Sequence, residues 1–174
     1  FLTQHIVVNY LNSLEKLKVI ENDEEKLIEE VLNLITKIEK LNDLYSFSVI
    51  FEGKLYSSEN LNAREEFERD YPIEVDSKNC GFLQVFSKEF PGDLNPDHEL
   101  IFMLTTLHIG TMIEKIRKAK NLNDSRILYK TIVDNSHEGL SIIDQHFKII
   151  YSNKKTEKIF EEKIEKIIGR DFRD

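Results

Sequence analysis

A chain of 174 residues makes one domain or two small ones, and a hydrophobic content of 40% is enough to fill a core. A net charge of −8 with both signs interspersed excludes nucleic-acid binding as the main task, because phosphate contacts require concentrated Lys and Arg. No apolar run approaches the roughly 18 residues of a membrane span, and a single cysteine, Cys80, excludes an intrachain disulfide and leaves a thiolate zinc site without its other ligands.

The first expected element is a helix over Leu2–Ile20. Ile6, Tyr10, Leu14 and Leu17 recur at steps of three and four on one stripe, and Leu11 widens it. Asn22 with Glu25 three residues on reads as a capping box opening a second helix that runs to about Leu41. Its apolar face is Leu27, Val31, Leu34, Ile35, Ile38 and Leu41. The period then changes from helix to strand. Tyr45–Phe51 alternates and is rich in β-formers, and Glu52-Gly53-Lys54 turns it into Leu55-Tyr56. The spacing of Ala63 and Phe67 predicts a short helix over Leu61–Asp70. Tyr71–Val75 is a strand with Pro72 near its start, Ser77–Gly81 a turn, and Phe82–Phe86 a strand apolar on both faces.

Phe90–Leu94 reads as a loop. Asn95 then caps a long helix with Pro96 in the first helical position and Asp97 and Glu99 in the first turn. From Leu100 to Ile113 it is apolar nearly all round, which predicts burial on several sides. Beyond that the pattern narrows to Met112, Ile116, Ala119 and Leu122, a stripe suited to a two-helix seam. Asn121–Asp124 weakens the helix and marks a boundary. Ser141, Ile143, Phe147, Ile149 and Tyr151 then predict a two-strand hairpin with one face inward.

Two resemblances follow from these residues. From Asn22 to Lys118 the order is helix, hairpin, Tyr71-Pro-Ile, the run Cys80-Gly81-Phe-Leu-Gln-Val-Phe-Ser87, an acidic Asp97 and a closing helix with Leu104, Leu107, Ile109, Ile113 and Glu114. That order resembles a GAF domain, reduced to about four strands. From Ile127 onward the chain resembles the first half of a PAS domain. Glu138-Gly139-Leu140 matches the entry to the first strand and Asp144 the acidic position at its end. Tyr151-Ser152-Asn153 matches the end of the second strand, and Ile168-Gly169-Arg170 the hydrophobic-Gly-Arg element. Asn153 is expected to bond backbone across the strand-to-helix junction rather than to bind a ligand. A PAS sheet needs later strands, so a hairpin without them is expected to be poorly ordered, to pack on the first domain or to pair with another chain. Together with Phe1 in place of Met, this predicts a fragment of a longer protein.

The resemblances imply an α+β fold: a small antiparallel sheet flanked by helices (GAF/PAS-like, profilin-like), a long connector helix and a partial PAS hairpin. The expected divisions are residues 1–21, a helix for dimer signalling; 22–118, GAF-like; 119–126, a connector; and 127–174, PAS-like. The implied function is a cytoplasmic sensory and regulatory region of a signal-transduction protein such as a sensor histidine kinase, with an output domain in cis. It would relay its signal through helices paired in a homodimer, with Met112, Ile116, Ala119 and Leu122 as the seam. No cofactor is predicted. An unknown small ligand stays open, with Phe47, Phe82 and Phe86 as its pocket. The alternative is a dimerisation or protein-docking module with no pocket.

No motif supports catalysis in this stretch. There is no phosphate-binding glycine loop and no nucleophile elbow, and the six glycines are read as turn residues. His5 lacks the acidic residue and Pro that follow a phospho-accepting His in the kinase family, and reads as a surface or partner-facing residue. His98 reads as solvated, His108 as a hydrogen-bonded core residue rather than a haem ligand, and His137 and His146 as turn residues. No His pair has metal-ligand spacing. Cys80 is followed by Gly81 rather than the His of chromophore-bearing relatives, and reads as a small, partly buried residue at a strand entry.

Overall fold

A computed structural model describes residues 2–17, 23–57, 66–88 and 94–173. The chain divides into two compact units, Phe1–Lys120 and Asn121–Asp174.

The first unit is α+β. Helices α1 (Leu2–Lys16), α2 (Glu24–Thr36) and α3 (Glu39–Leu44) precede strands β1 (Tyr45–Phe51), β2 (Lys54–Ser57), β3 (Glu66–Val75) and β4 (Lys78–Ser87), and helix α4 begins at Pro96. The strands form one antiparallel sheet in the order β2-β1-β4-β3. The β1–β2 turn places Glu52 and Gly53 at positive φ, as a tight two-residue hairpin requires. The β3–β4 turn does the same with Asp76 and Ser77, so β4 starts at Lys78 and the turn expected over Ser77–Gly81 is two residues long. Asp tolerates the left-handed region because its short side chain bonds locally.

One face of the sheet builds the core. Phe47, Val49 and Phe51 of β1 register with Val85, Leu83 and Gly81 of β4, and Tyr71, Ile73 and Val75 of β3 are buried with them. The Phe102 ring of α4 receives Tyr45, Phe47 and Tyr71 at centroid distances of 5.5, 5.6 and 5.5 Å in edge-on contact. Leu27, Ile28, Val31, Leu32 and Ile35 of α2 and Tyr10 and Leu14 of α1 close the cluster. The Tyr10 hydroxyl meets Thr105 Oγ1 at 2.7 Å, joining α1 to α4, and burial pushes the phenol's pKa up.

Several local expectations change. Asp23 caps α2, its carboxylate accepting from the amides of Glu25 and Lys26, whereas Asn22 lies outside the described residues. The second helix stops at Thr36 and restarts at Glu39, with Ile38 in an extended conformation between them. Residues 66–70 are not helical: they begin β3, paired with the end of β4 through Glu66–Ser87 and Arg69–Val85. Ladder pairing overrides a weak helical spacing. Gly81 and Gly110 are not turn residues. A Cβ on Gly81 would lie 2.0 Å from the Ile50 carbonyl oxygen, and one on Gly110, in mid-helix, 2.1 Å from that of Glu74, so each marks a close backbone approach.

Helix α4 runs unbroken from Pro96 to Asp134. Asn121–Asp124 does not end it, because Asn and Asp each cost less than about 0.7 kcal/mol in a helix and no Gly or Pro accompanies them. Asn95 starts it, its Oδ1 accepting from the Asp97 amide at 2.9 Å.

The second unit contains the end of α4, then β5 (Ser141–Ile143), β6 (Ile149–Ser152), α5 (Lys154–Phe160) and α6 (Ile164–Ile167). The hairpin is present, but a register shift between Ile142 and Ile143 changes its faces: Ser141 pairs with Ser152, Ile142 with Tyr151 and Ile143 with Ile149. Phe147 lies in the turn at φ 65° rather than in the strand row. The segment after α6 lies along β6, with the Ile149 amide donating to Arg170 O and the Gly169 amide to Ile149 O. None of β5 is buried. No helix among the described residues is long and apolar enough to cross a membrane.

Candidate functional site

The three phenylalanines expected to line a pocket are not brought together. Phe47 is fully buried on the core face, while Phe82 and Phe86 register with Ile50 and Ser46 on the opposite face and are half-buried. Successive side chains of a strand alternate, so Phe47 and its partner Val85 cannot share a face with Phe86. Between Phe82 and Phe86 runs a polar ladder. Ser48 Oγ donates to Gln84 Oε1 at 3.1 Å, and Gln84 Nε2 donates to Asp70 Oδ1 at 3.1 Å. Solvent-open hollows lie elsewhere. One of about 680 Å³ is lined by Glu24, Glu25, Phe51, Glu52, Lys54, Tyr56 and Lys120 among others, and one of about 320 Å³ lies between α1 and α2.

The expected seam residues divide. Met112 and Ile116 are 8% and 2% exposed and belong to the core of the first unit, whereas Ala119 and Leu122 lie in water. The helix is apolar nearly all round but is not buried all round: Leu100, Met103 and Leu107 are exposed on the side away from the core. The sequence pattern of residues 100–113 is symmetric enough to hide which side is which.

An ion cluster that no sequence motif announces ties three elements. Arg117 of α4 donates from Nε and Nη2 to both carboxylate oxygens of Glu24 at 2.9 and 2.7 Å, and from Nη2 to Glu52 at 2.9 Å. Its guanidinium lies 5.8 Å from the centroid of the Phe51 ring. These bonds hold the Arg117 pKa above its usual value. One turn earlier on the chain, Glu114 accepts from the Asp76 amide at 2.8 Å and so anchors the β3–β4 turn. That bond, reinforced by Lys118, lowers the Glu114 pKa.

In the second unit Asn153 is fully buried and uses both ends of its amide. Oδ1 accepts from the amides of Leu140 and Thr156 and from the Thr156 hydroxyl, at 3.0, 3.2 and 2.8 Å. Nδ2 donates to the carbonyls of Val133 and Glu138 at 2.8 and 3.0 Å. The expected bond across the strand-to-helix junction is therefore present. The bond to Val133, in the last turns of α4, is additional. Gly139 lies beneath α5: a Cβ there would sit 2.7 Å from Ile159 Cδ1 and 3.2 Å from Thr156 Oγ1. Asp144 orders its turn by accepting from the amides of Lys148 and His146 at 2.9 and 2.8 Å, and these bonds lower its pKa. Gly169 occupies φ +87°, a conformation suited to glycine.

The histidines differ from expectation in two places. His98 is half-buried, its ring edge-on to Tyr45 at 5.8 Å, rather than solvated. His108 is half-buried with Nε2 buried and without a hydrogen-bond partner among the described residues. Burial first, and Lys115 second, push its pKa down, opposed by Glu15. The His5 side chain lies outside the described residues. His137 and His146 lie in the bends and turns around β5. Cys80 is a free, half-buried thiol within β4. Among the described residues no three His, Cys, Asp or Glu side chains converge in a metal-holding group.

No family model matches the chain, and no curated protein or solved structure is significantly similar to it.

Proposed function

We propose that the chain is a cytoplasmic sensory and regulatory region of a larger signal-transduction protein, such as a sensor histidine kinase with its output domain in cis. In this reading a reduced GAF-like domain passes its state through helices paired in a homodimer to a PAS-like segment. The observation that carries the proposal is the double use of α4. Ile101, Phe102, Ile109, Ile113 and Ile116 are core residues of the first unit. Farther along the same helix, the Val133 carbonyl is held by Asn153. A helix that is structural at both ends transmits a shift or rotation, provided that two arrangements lie within a few kcal/mol of each other.

The test is hydrogen exchange on Tyr10→Phe, which removes the hydroxyl that meets Thr105 and leaves Thr105 bonded to the Ile101 carbonyl. The relay predicts altered protection at the amides of Leu140 and Thr156, far along the chain. Unchanged exchange there overturns it.

One observation favours the second reading, a dimerisation or docking module without a ligand. Phe47 lies on one face of the sheet and Phe82 and Phe86 on the other, so the pocket expected of a sensor does not form from them.

A further inference from the structure

We infer that one turn of α4, Glu114 to Lys118, is a charge-held latch on the two hairpin turns of the first unit, closed at low ionic strength and opened as salt rises. It rests on the relay reading only in taking α4 as the element that carries the state onward. Every residue of the latch lies within the first unit.

The sheet brings both turns to one end. Phe51, the last residue of β1, registers with Gly81, and the Glu52 amide donates to the Cys80 carbonyl at 2.8 Å. The β1–β2 turn therefore lies beside the start of β4, which the β3–β4 turn leads into. Here α4 presents Glu114, Arg117 and Lys118, spaced so that they share a face. Arg117 holds the first turn through Glu52 at 2.9 Å and the start of α2 through Glu24 at 2.7 Å. Glu114 holds the second turn through the Asp76 amide at 2.8 Å. Lys118 Nζ lies 3.2 Å from Glu114 and 3.5 Å from the Asp76 carboxylate.

The turns are strained, and what holds them is charge in contact with water. Glu52, Asp76 and Ser77 take φ of 48°, 48° and 61°. Left-handed backbone is unfavourable for residues with a Cβ and persists where surrounding bonds impose it. The bonds that impose it here are open to solvent: the Glu52 side chain is 53% exposed and that of Lys118 67%. Raising salt from 0.1 to 1 M shortens the screening length from about 10 to about 3 Å and weakens such pairs. The rest of the unit responds in the opposite direction. Ile101, Ile109, Ile113 and Ile116 dock α4 by apolar burial, and salt screens the mutual repulsion of a chain with net charge −8. Salt therefore lets both turns relax and frees α4 where it leaves the sheet, while the core stays closed.

Amide hydrogen exchange on the intact chain, at neutral pH in about 0.1 and about 1 M sodium chloride, tests the latch. Between the two salt concentrations the Asp76 and Glu52 amides are expected to exchange roughly fivefold faster or more, while Val85, buried in the central strand β4, stays as slow or slows further. Arg117→Met is expected to cut the salt response at Asp76, a residue that Arg117 does not bond, to about twofold or less. Glu114→Ala is expected to do the same at Glu52. Each response is a ratio within one variant, so a uniform loss of stability leaves it unchanged. An equal acceleration at Val85, or no salt response at Asp76 and Glu52, overturns the latch. So does a full response at Asp76 in Arg117→Met, which would make the two holds independent. Any of these failures leaves the relay reading standing, since that reading is tested at Leu140 and Thr156.

Discussion

Asn153 Nδ2 donates to the Val133 carbonyl at 2.8 Å, so a side chain that begins a short helix also holds the end of a long one. The Val133 carbonyl, near the helix C-terminus, also accepts from the Ser136 amide at 3.3 Å, and the Asn amide adds a second, shorter donor without introducing charge. The same side chain fixes Leu140, where the first strand of the hairpin is about to begin. Three segments of the second unit therefore share one fully buried amide.

Asn153→Ala is expected to destabilise the second unit by about 2–3 kcal/mol, since it removes the bonds to the Glu138 carbonyl and the Leu140 amide, while the Val133 carbonyl keeps the Ser136 amide and the Thr156 amide keeps the Asn153 carbonyl. Hydrogen exchange should show the Leu140 and Thr156 amides opening while the amides of the sheet in the first unit keep their protection. Asn153→Asp, which retains the acceptors but sets a carboxylate against two carbonyls, should be no better tolerated.

Gly110→Ala is expected to destabilise the first unit despite the higher helix propensity of Ala. The added Cβ would lie 2.1 Å from the Glu74 carbonyl oxygen, a backbone atom that cannot rotate away. Overpacking of this kind costs about 1–3 kcal/mol, against a propensity gain of about 1 kcal/mol. Urea denaturation gives the net sign, and a more stable variant would contradict the close approach of α4 to β3.

Arg117→Met keeps much of the aliphatic stem and removes the bonds to Glu24 and Glu52. The pair is partly exposed, at 31% and 28% of the side chains, so solvent screens it and the expected loss is about 1–2 kcal/mol. If the Arg117–Glu24 contact is as coupled as its two parallel bonds imply, a double-mutant cycle with Glu24→Gln will return an interaction energy well above that of an exposed Lys–Glu pair.

The pH dependence has a defined sign. His108 has its pKa lowered by burial, so the unfolded chain takes up the proton first as pH falls through about 6.5. Stability should therefore be greatest above that value and decline as the solution is acidified below it, down to the lower pKa of the folded state. His108→Gln should flatten thermal stability between pH 7 and pH 5. A second decline belongs to carboxylates with lowered pKa values: Glu114, Asp144, and Asp171, which Arg173 holds at about 2. It begins near pH 4 and should persist in the His108 variant.

The parts of the fold legible in the sequence are those where local chemistry decides. Alternation identified Tyr45–Phe51, the Glu52-Gly53 turn was readable from its residues, and Asn95-Pro96 announced the start of α4. The helix expected over Leu61–Asp70 from the spacing of Ala63 and Phe67 fails at residues 66–70 because an edge strand takes its conformation from its partner, Glu66 from Ser87 and Arg69 from Val85, and residues 61–65 lie outside the described residues. In the candidate site, the bonding role of Asn153 across the junction could be anticipated from its position after a strand, but its bond to Val133, 20 residues earlier, could not. The Arg117–Glu24 pair is 93 residues apart and left no local trace.

By itself the sequence determined an α+β chain with a small sheet, a long helix and a hairpin, because periodicity, caps and turn residues act over a few positions. The tertiary structure decided which side of each element faces the core. It took Met112 and Ile116 inward and left Leu107 and Leu122 in water, and it parted Phe47 from Phe82 and Phe86 across the sheet. A helix apolar on most sides, and a strand apolar on both faces, satisfy the local rules in more than one orientation. Only the packing of Phe102 among Tyr45, Phe47 and Tyr71 selects one of them.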